Sequence, residues 1–132
     1  MGTKVDYDAI IVGAGFAGLA LIHHLKKIGI SLRVFDKASG IGGTWNWNKY
    51  PGAATDSEGY YYCLSFSKEI MQEWTWSERY PGWEETNRYL HFVADKCNMW
   101  PDIQLNTEII SAKFNKDKKI WNVTTKNGEK LN

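Results

Sequence analysis

Six residues, "GAGFAG" at Gly13 to Gly18, restrict the fold of this 132-residue chain more than any other feature. They follow "YDAIIV" (residues 7–12), a short apolar, β-rich run of the kind that forms a strand buried on both faces. A helix is expected from Gly15 to Ile28. There Phe16, Leu19, Ala20, Ile22 and Leu25 recur at three- and four-residue steps, and Gly29 supplies the stop. "LRVF" (32–35) reads as the next strand, ended by Asp36. Strand, helix and strand in so short a span make a βαβ unit, which is right-handed with parallel strands. The fold class expected is therefore α/β, a Rossmann-like unit with a parallel sheet.

A GxGxxG hexapeptide alone is weak evidence, but one that leaves a strand, opens a helix and precedes an acidic strand end is specific. Gly13 permits the tight turn, Gly15 lets backbone approach a pyrophosphate, and Gly18 lets helix pack closely on strand. The helix N-terminus offers free N–H groups and partial positive charge to phosphates. Asp36, eighteen residues past Gly18, is placed to accept hydrogen bonds from a ribose diol, which disfavours a 2′-phosphate. The first dinucleotide is then FAD or NAD, which the motif does not separate. Gly13, Gly15, Phe16, Ala17, Gly18, Asp36 and Lys37 are the candidate binding residues of this unit.

Beyond Asp36 the periodicity dissolves. Residues 37–67 read as a long loop with one helical turn at most, and its Trp and Tyr content argues against disorder. Ser65 or Ser67 is expected to cap a short helix ending near Glu73. A helix is expected over 84–97, with Tyr89, Phe92, Val93 and Cys97 on one stripe. "IQL" (103–105) reads as a third strand, and "EIISAKF" with "IWNVTT" as a hairpin ending near Thr125. The chain is long enough for one core and not for two. Its 16 Lys+Arg against 15 Asp+Glu, with no run of like charge, exclude a nucleic-acid surface. No apolar run is long enough to span a bilayer. "MGTKVDYD" lacks the order of a secretion signal and carries Asp6 where a myristoylation signal needs Ser or Thr, so a cytoplasmic protein is expected. Cys63 and Cys97 are isolated and expected to be reduced packing thiols. His23, His24 and His91 are read as packed or solvated, and Trp74, Trp76, Trp83, Trp100 and Trp121 as packing residues.

The stretch "GGTWNWNKYPGAATD", Gly42 to Asp56, places two tryptophans, a Pro-Gly turn and a carboxylate in a loop with no period. Together with "GAGFAG", "VFDKASGIGGTW" and "YYYCLSFSKEIMQEWTWSERY", it resembles the N-terminal part of the Baeyer-Villiger monooxygenases over Tyr7 to about Gly128. The most specific element is Gly42-Gly43-x-Trp45, then Tyr50-Pro51-Gly52, then Asp56 at fixed spacing. The resemblance implies FAD and NADP as cofactors, with a small-molecule ketone and O2 as substrates. It implies that Gly43, Thr44 and Trp45 line the flavin and ribityl region, that Trp47 and Tyr62 contact the cofactor or its wall, and that Ile109 touches the adenine side. It places Ala54 and Thr55 near NADP, and makes Asp56 the catalytic carboxylate that holds an active-site arginine. The implied reaction is reduction of the flavin by NADPH, activation of O2 and insertion of one oxygen beside the ketone carbonyl, giving an ester or lactone.

This sequence departs from the family pattern at Lys49, where arginine is common, at Asp36, where glutamate is common, and at Gly59, where serine is common. A second glycine-rich turn for NADP is absent, and Arg33, Arg79 and Arg88 are not candidates for the catalytic arginine. The chain therefore reads as residues 1–132 of a partial FAD-binding domain in an incomplete two-dinucleotide fold, inactive alone. Two other readings stay open: a different flavoprotein of that fold, such as an N-hydroxylating monooxygenase or a reductase, and a non-catalytic nucleotide-binding fragment. The last would self-associate through an unfinished sheet edge.

Overall fold

Branched residues make Ala9–Val12 (β1) and Leu32–Phe35 (β2) strands, and the computed structural model, which describes residues 4–132, pairs them in parallel from Ala9↔Leu32 to Val12↔Phe35. The crossover is helix α1, Phe16–Lys27. Its stop is the one expected: Gly29 takes φ +79°, its N–H bonds Lys26, and the Ile30 N–H bonds Leu25. The strand at Ile103–Gln104 (β3) joins β2 in parallel through Val34 and Phe35, giving the order β1-β2-β3. It is two residues long, and a short 3-10 turn at Trp100–Asp102 leads into it.

The single helical turn in the long loop is Thr44–Trp47 (α2), followed by α3 at Lys68–Glu73 and α4 at Trp83–Lys96. Ser67 does occupy the N-cap of α3, but its hydroxyl makes no capping bond; the expected cap is positional only. Helix α4 carries Glu84 and Glu85 in its first turn and Lys96 in its last, complementing its dipole. Lys96 also reaches Glu73 of α3 at 2.5 Å. Tyr89 and Val93 of the expected stripe are buried together with Leu90 and Ala94, whereas Phe92 is half-buried and Cys97 is the half-buried C-cap just past the helix.

Ile109–Asn115 (β4) and Ile120–Thr125 (β5) form the expected antiparallel hairpin. A third strand, Lys130–Leu131 (β6), pairs with Val123 and Thr124 and was not expected. Gly128 at φ +88° turns the chain into it. The core lies between the parallel sheet and the helices: Leu19 and Ile22 of α1, Val34 of β2, Ile41 of the loop, and Tyr89, Leu90 and Val93 of α4. Each fully buried Leu or Ile contributes about 1.5–3 kcal/mol, so this cluster carries most of the fold. Among the described residues no helix is long and apolar enough to cross a membrane. Met1–Thr3, where the reading of the secretion and myristoylation signals begins, lie outside the described residues.

Candidate functional site

The glycine turn is held by packing and by a buried carboxylate. Gly13 adopts φ +104°, a conformation that costs L-residues about 1–2 kcal/mol. A Cβ on Gly18 would lie 2.1 Å from the Gly13 carbonyl oxygen, so this helix position admits no side chain. The Gly15 backbone abuts Gly43, where a Cβ would stand 3.1 Å from the Gly15 Cα. The two glycine-rich loops thus touch through backbone alone. Gly42 N–H donates to the Ala14 carbonyl at 2.9 Å, closing the same contact. Helix α1 starts at N-cap Gly15 with no side-chain cap, which leaves its first-turn N–H groups available to an anion.

Asp36 is 7% exposed, and is not the solvated strand end that an ordinary loop would give. Its Oδ2 accepts the Ala14 N–H at 2.7 Å and its Oδ1 the Ala38 N–H at 2.8 Å. The carboxylate therefore ties the glycine turn to the start of the loop, and each oxygen keeps a further acceptor direction. Its backbone bonds Gln104 and Thr107, so β3 and the segment before β4 are pinned to the same residue.

A cleft of about 520 Å³ opens at this point. It gathers Gly13, Asp36, Lys37, Gly43, Thr44, Trp47 and Ile109, seven of the residues singled out from sequence. Lys37 stands 5.6 Å from the Trp47 ring centroid at its mouth, a cation-π contact. Val12, Phe35, Asn48, Thr107 and Glu108 complete the lining and were not anticipated. A signal for Thr107 and Glu108 existed, since they immediately precede the hairpin strand that carries Ile109. Lys126, at 2.9 Å, holds the Glu108 carboxyl below its ordinary value.

The other candidates lie outside this lining. Trp45 is 7% exposed, and its indole N–H donates to the Tyr62 hydroxyl at 3.2 Å. Phe16 packs edge-on against Tyr62 at 4.9 Å, so Phe16, Trp45 and Tyr62 form one aromatic wall. Ala17 is exposed near the start of α1. Ala54 forms an antiparallel bridge with Gly82, and the Thr55 N–H bonds the Pro81 carbonyl. The buried Thr55 Oγ1 has no partner among the described residues, an omission that costs about 1–3 kcal/mol. Asp56 is exposed and makes no ion pair among the described residues. Arg79 is engaged by Glu58, and Arg33 by Tyr7 and the Pro101 carbonyl. Gly59 presses on Trp76, where a Cβ would come within 2.8 Å of the ring; that packing accounts for glycine at this position.

The remaining titratable groups show packing rather than chemistry. Burial pushes the Cys63 and Cys97 thiols up, against nucleophilic use. His23 stacks on Phe66 at 4.0 Å and is lowered by burial, then by His24 and Lys27. No cluster of His, Cys, Asp or Glu among the described residues has the makings of a metal site.

The NAD(P)-binding Rossmann-like domain family matches residues 11–74, the segment holding the glycine turn, Asp36 and the loop. Acetone monooxygenase (methyl acetate-forming) of Gordonia sp. (strain TY-5) is 48% identical over 124 residues, 94% of this chain and 23% of that protein. A solved steroid monooxygenase bound to NADP superposes with a TM-score of 0.91 at 44% identity, covering 94% of this chain and 24% of its own. This chain matches part of the Baeyer-Villiger monooxygenases. The resemblance read from the sequence is borne out, and so is the α/β class. Phenazine N-monooxygenase of Lysobacter antibioticus is equally similar, 48% identical over 127 residues, 96% of this chain and 24% of that protein. The chain thus spans about a quarter of the length of these monooxygenases.

Proposed function

We propose that the chain, residues 1–132, is a partial FAD-binding domain of an NADPH- and O2-dependent flavin monooxygenase that converts ketones to esters or lactones. The observation that carries this reading is the cleft where Gly13, Asp36, Gly43 and Trp47 meet beside the uncapped N-terminus of α1. The residues fit a dinucleotide. Side-chain-free backbone lies at the turn, acceptor directions remain on a buried carboxylate, and an indole and an ammonium flank the mouth.

FAD, when bound, supplies the redox centre for reduction by NADPH and for oxygen activation. The chain's own part is to bind and orient. The first-turn amides of α1 hold the pyrophosphate, and Asp36 accepts from the ribose while fixing the turn through Ala14. Lys37, Trp47, Thr44 and Ile109 form the cleft wall, and Phe16, Trp45 and Tyr62 back the loop that carries Gly43. On the proposed reading, the unpartnered Thr55 hydroxyl and neighbouring Ala54 serve NADP. The exposed Asp56 carboxylate serves to hold an arginine cation beside the reacting oxygen. With no arginine partner for Asp56 among the described residues, we infer no turnover by this chain alone. A cytoplasmic site of action accords with two free thiols and no cysteine pairing.

Phenazine N-monooxygenase's 48% identity supports a second reading, oxygenation at a ring nitrogen rather than beside a carbonyl. The first experiment is to add FAD to the purified chain, remove the excess and record absorbance and flavin fluorescence. Retained and quenched flavin is expected; retention of NAD but not FAD would sink the proposal. Assaying ester formation against N-oxide formation in a full-length protein that contains this segment then separates the two chemistries.

A further inference from the structure

We infer that Glu85 is a positioning residue for Asp56: its buried carboxylate ties down the segment against which the Asp56 turn is laid. The inference rests on the proposed role of Asp56 as the carboxylate that holds an arginine beside the reacting oxygen. Glu85 is the third residue of α4, a position from which a glutamate ordinarily bonds back to the N-cap N–H. Here the N-cap is Gly82, and Glu85 reaches past it to Ser77. Its Oε1 accepts the Ser77 N–H at 2.8 Å, and its Oε2 accepts the Ser77 hydroxyl at 2.7 Å. The residue is 8% exposed, and no ion pair among the described residues includes it. A buried carboxylate with no cation is costly unless its oxygens are hydrogen-bonded, and Ser77 supplies a bond to each. Glu85 lines neither the cofactor cleft nor the aromatic wall, so its use lies in the segment that Ser77 begins.

Residues 77–82 carry the Asp56 turn. The Thr55 N–H bonds the Pro81 carbonyl at 3.0 Å and the Gly59 N–H bonds the Arg79 carbonyl at 2.9 Å, and Asp56 stands between these two attachments. The Trp83 N–H donates to the Ala53 carbonyl at 2.9 Å, which completes the bridge between Ala54 and Gly82. Arg79 also pairs with Glu58, on the same turn as Asp56. Helix α4 holds this segment at both ends. At Gly82 the carbonyl accepts from the Thr86 N–H and hydroxyl, each at 3.0 Å. At Ser77 the holder is Glu85. Glu85 and Thr86 are adjacent in the first turns of a helix whose buried face lies in the core, so the segment inherits the rigidity of that helix. Loss of the Glu85 bonds leaves Gly82 as the attachment to α4, and the Arg79 and Pro81 carbonyls can then shift together with the turn they carry. The Asp56 side chain is exposed and unpaired among the described residues, so its place is set by this backbone.

The experiment uses a full-length protein that contains this segment, loaded with FAD, and reads kcat, flavin content and amide exchange over residues 53–60. Glu85→Ala should lower kcat by about tenfold to a hundredfold, the loss that a misplacement of about 1 Å produces. Flavin content should stay unchanged while exchange at Thr55 and Gly59 quickens by about tenfold. Glu85→Gln, whose amide can accept the Ser77 N–H and donate to its hydroxyl oxygen, should restore most of the rate. Ser77→Ala removes one of the two bonds at an exposed residue, so it serves if Glu85→Ala does not fold, with an expected loss of about threefold. The deciding readout is the double variant: on an Asp56→Ala background, Glu85→Ala or Ser77→Ala should lower kcat no further, because Glu85 acts through Asp56. An unchanged kcat in Glu85→Ala, an additive loss in the double variant, or a Glu85→Gln protein no better than Glu85→Ala would overturn the inference and leave the role of Asp56 standing. Full turnover by Asp56→Ala alone would overturn the reading of Asp56, and the inference with it.

Discussion

Asp36→Asn tests the link between fold and site most directly, because one carboxylate serves both. Its oxygens accept from Ala14 at 2.7 Å and Ala38 at 2.8 Å in a setting only 7% exposed. Asparagine keeps one oxygen and turns an NH2 donor on the other N–H. One charge-assisted bond is lost and the other weakened, and a buried amide is left without a partner. Bonds to a charged group contribute about 1.5–3 kcal/mol, and an unsatisfied buried donor costs about 1–3 kcal/mol, so a loss of about 3 kcal/mol is expected after partial relaxation. At about 2.1 cal/mol/K per residue, unfolding a chain of this length carries about 0.28 kcal/mol/K of entropy at the midpoint, so the melting temperature should fall by about 10 °C. Asp117→Asn, in the exposed hairpin turn, is the control and should shift it by less than about 2 °C. Calorimetry of both variants decides it. If Asp36→Asn melts within about 2 °C of the parent, the carboxylate does not hold the turn, and the reasoning that makes it the hub of the site is wrong.

Gly18→Ala drives a methyl to 2.1 Å from the Gly13 oxygen and must displace α1 by about 1 Å; urea unfolding should show a loss of about 3 kcal/mol, and an unchanged midpoint would contradict the packing. Tyr89 predicts an alkaline limit. Burial, opposed by a hydrogen bond to Leu64, pushes its hydroxyl up to about 12, above its ordinary 10.0. The folded state then holds a proton that the unfolded state releases between pH 10 and 12. Stability is complete below pH 10 and declines as pH rises through that window, by about 2 kcal/mol in all. Tyr89→Phe should remove that share of the decline while costing about 1–2 kcal/mol at neutral pH, since the Leu64 N–H loses its 2.7 Å acceptor. Parallel slopes for both proteins across pH 10–12 would refute the assignment. Asp8 predicts the opposite sign at low pH. The Ser31 hydroxyl and N–H hold its carboxyl below its ordinary value, so stability falls as pH drops through the folded value. Ser31→Ala should shallow that acid transition in a pH titration of unfolding.

What was legible in the sequence was local. The turn at Gly13, the stop at Gly29 and the β2 boundary at Asp36 each depend on neighbours a few residues away, and the structure keeps all three. Register across long separations left no mark in periodicity. The bridge between Ala54 and Gly82, which sets where Asp56 stands, joins two loops whose residues have no strand pattern. Strand β6 did have a local signal, the Asn127-Gly128 turn, but two residues of strand are too few to show alternation. The close approach of Gly43 to the Gly15 backbone was not legible either, since glycine spacing does not say which surface comes close.

The candidate residues fall into two mechanical groups, and the division has a consequence for chemistry. Gly13, Asp36, Gly43 and Trp47 are tied to the parallel sheet through Ala14, Ala38 and the contact between glycine loops, so their cleft exists within this chain. Ala54, Thr55 and Asp56 are positioned by the strand-like bridge to Gly82 and the bond to Pro81, and they end in a buried hydroxyl and an exposed carboxylate with no partners among the described residues. Cofactor retention and oxygenation should then separate. A substitution at Gly18 or Asp36 weakens flavin retention in this chain, whereas Asp56→Ala leaves retention intact and lowers turnover only in the longer protein. If Asp56→Ala released the flavin from this chain as readily as Gly18→Ala, the two groups would be one, and the carboxylate would belong to the binding cleft rather than to the reaction.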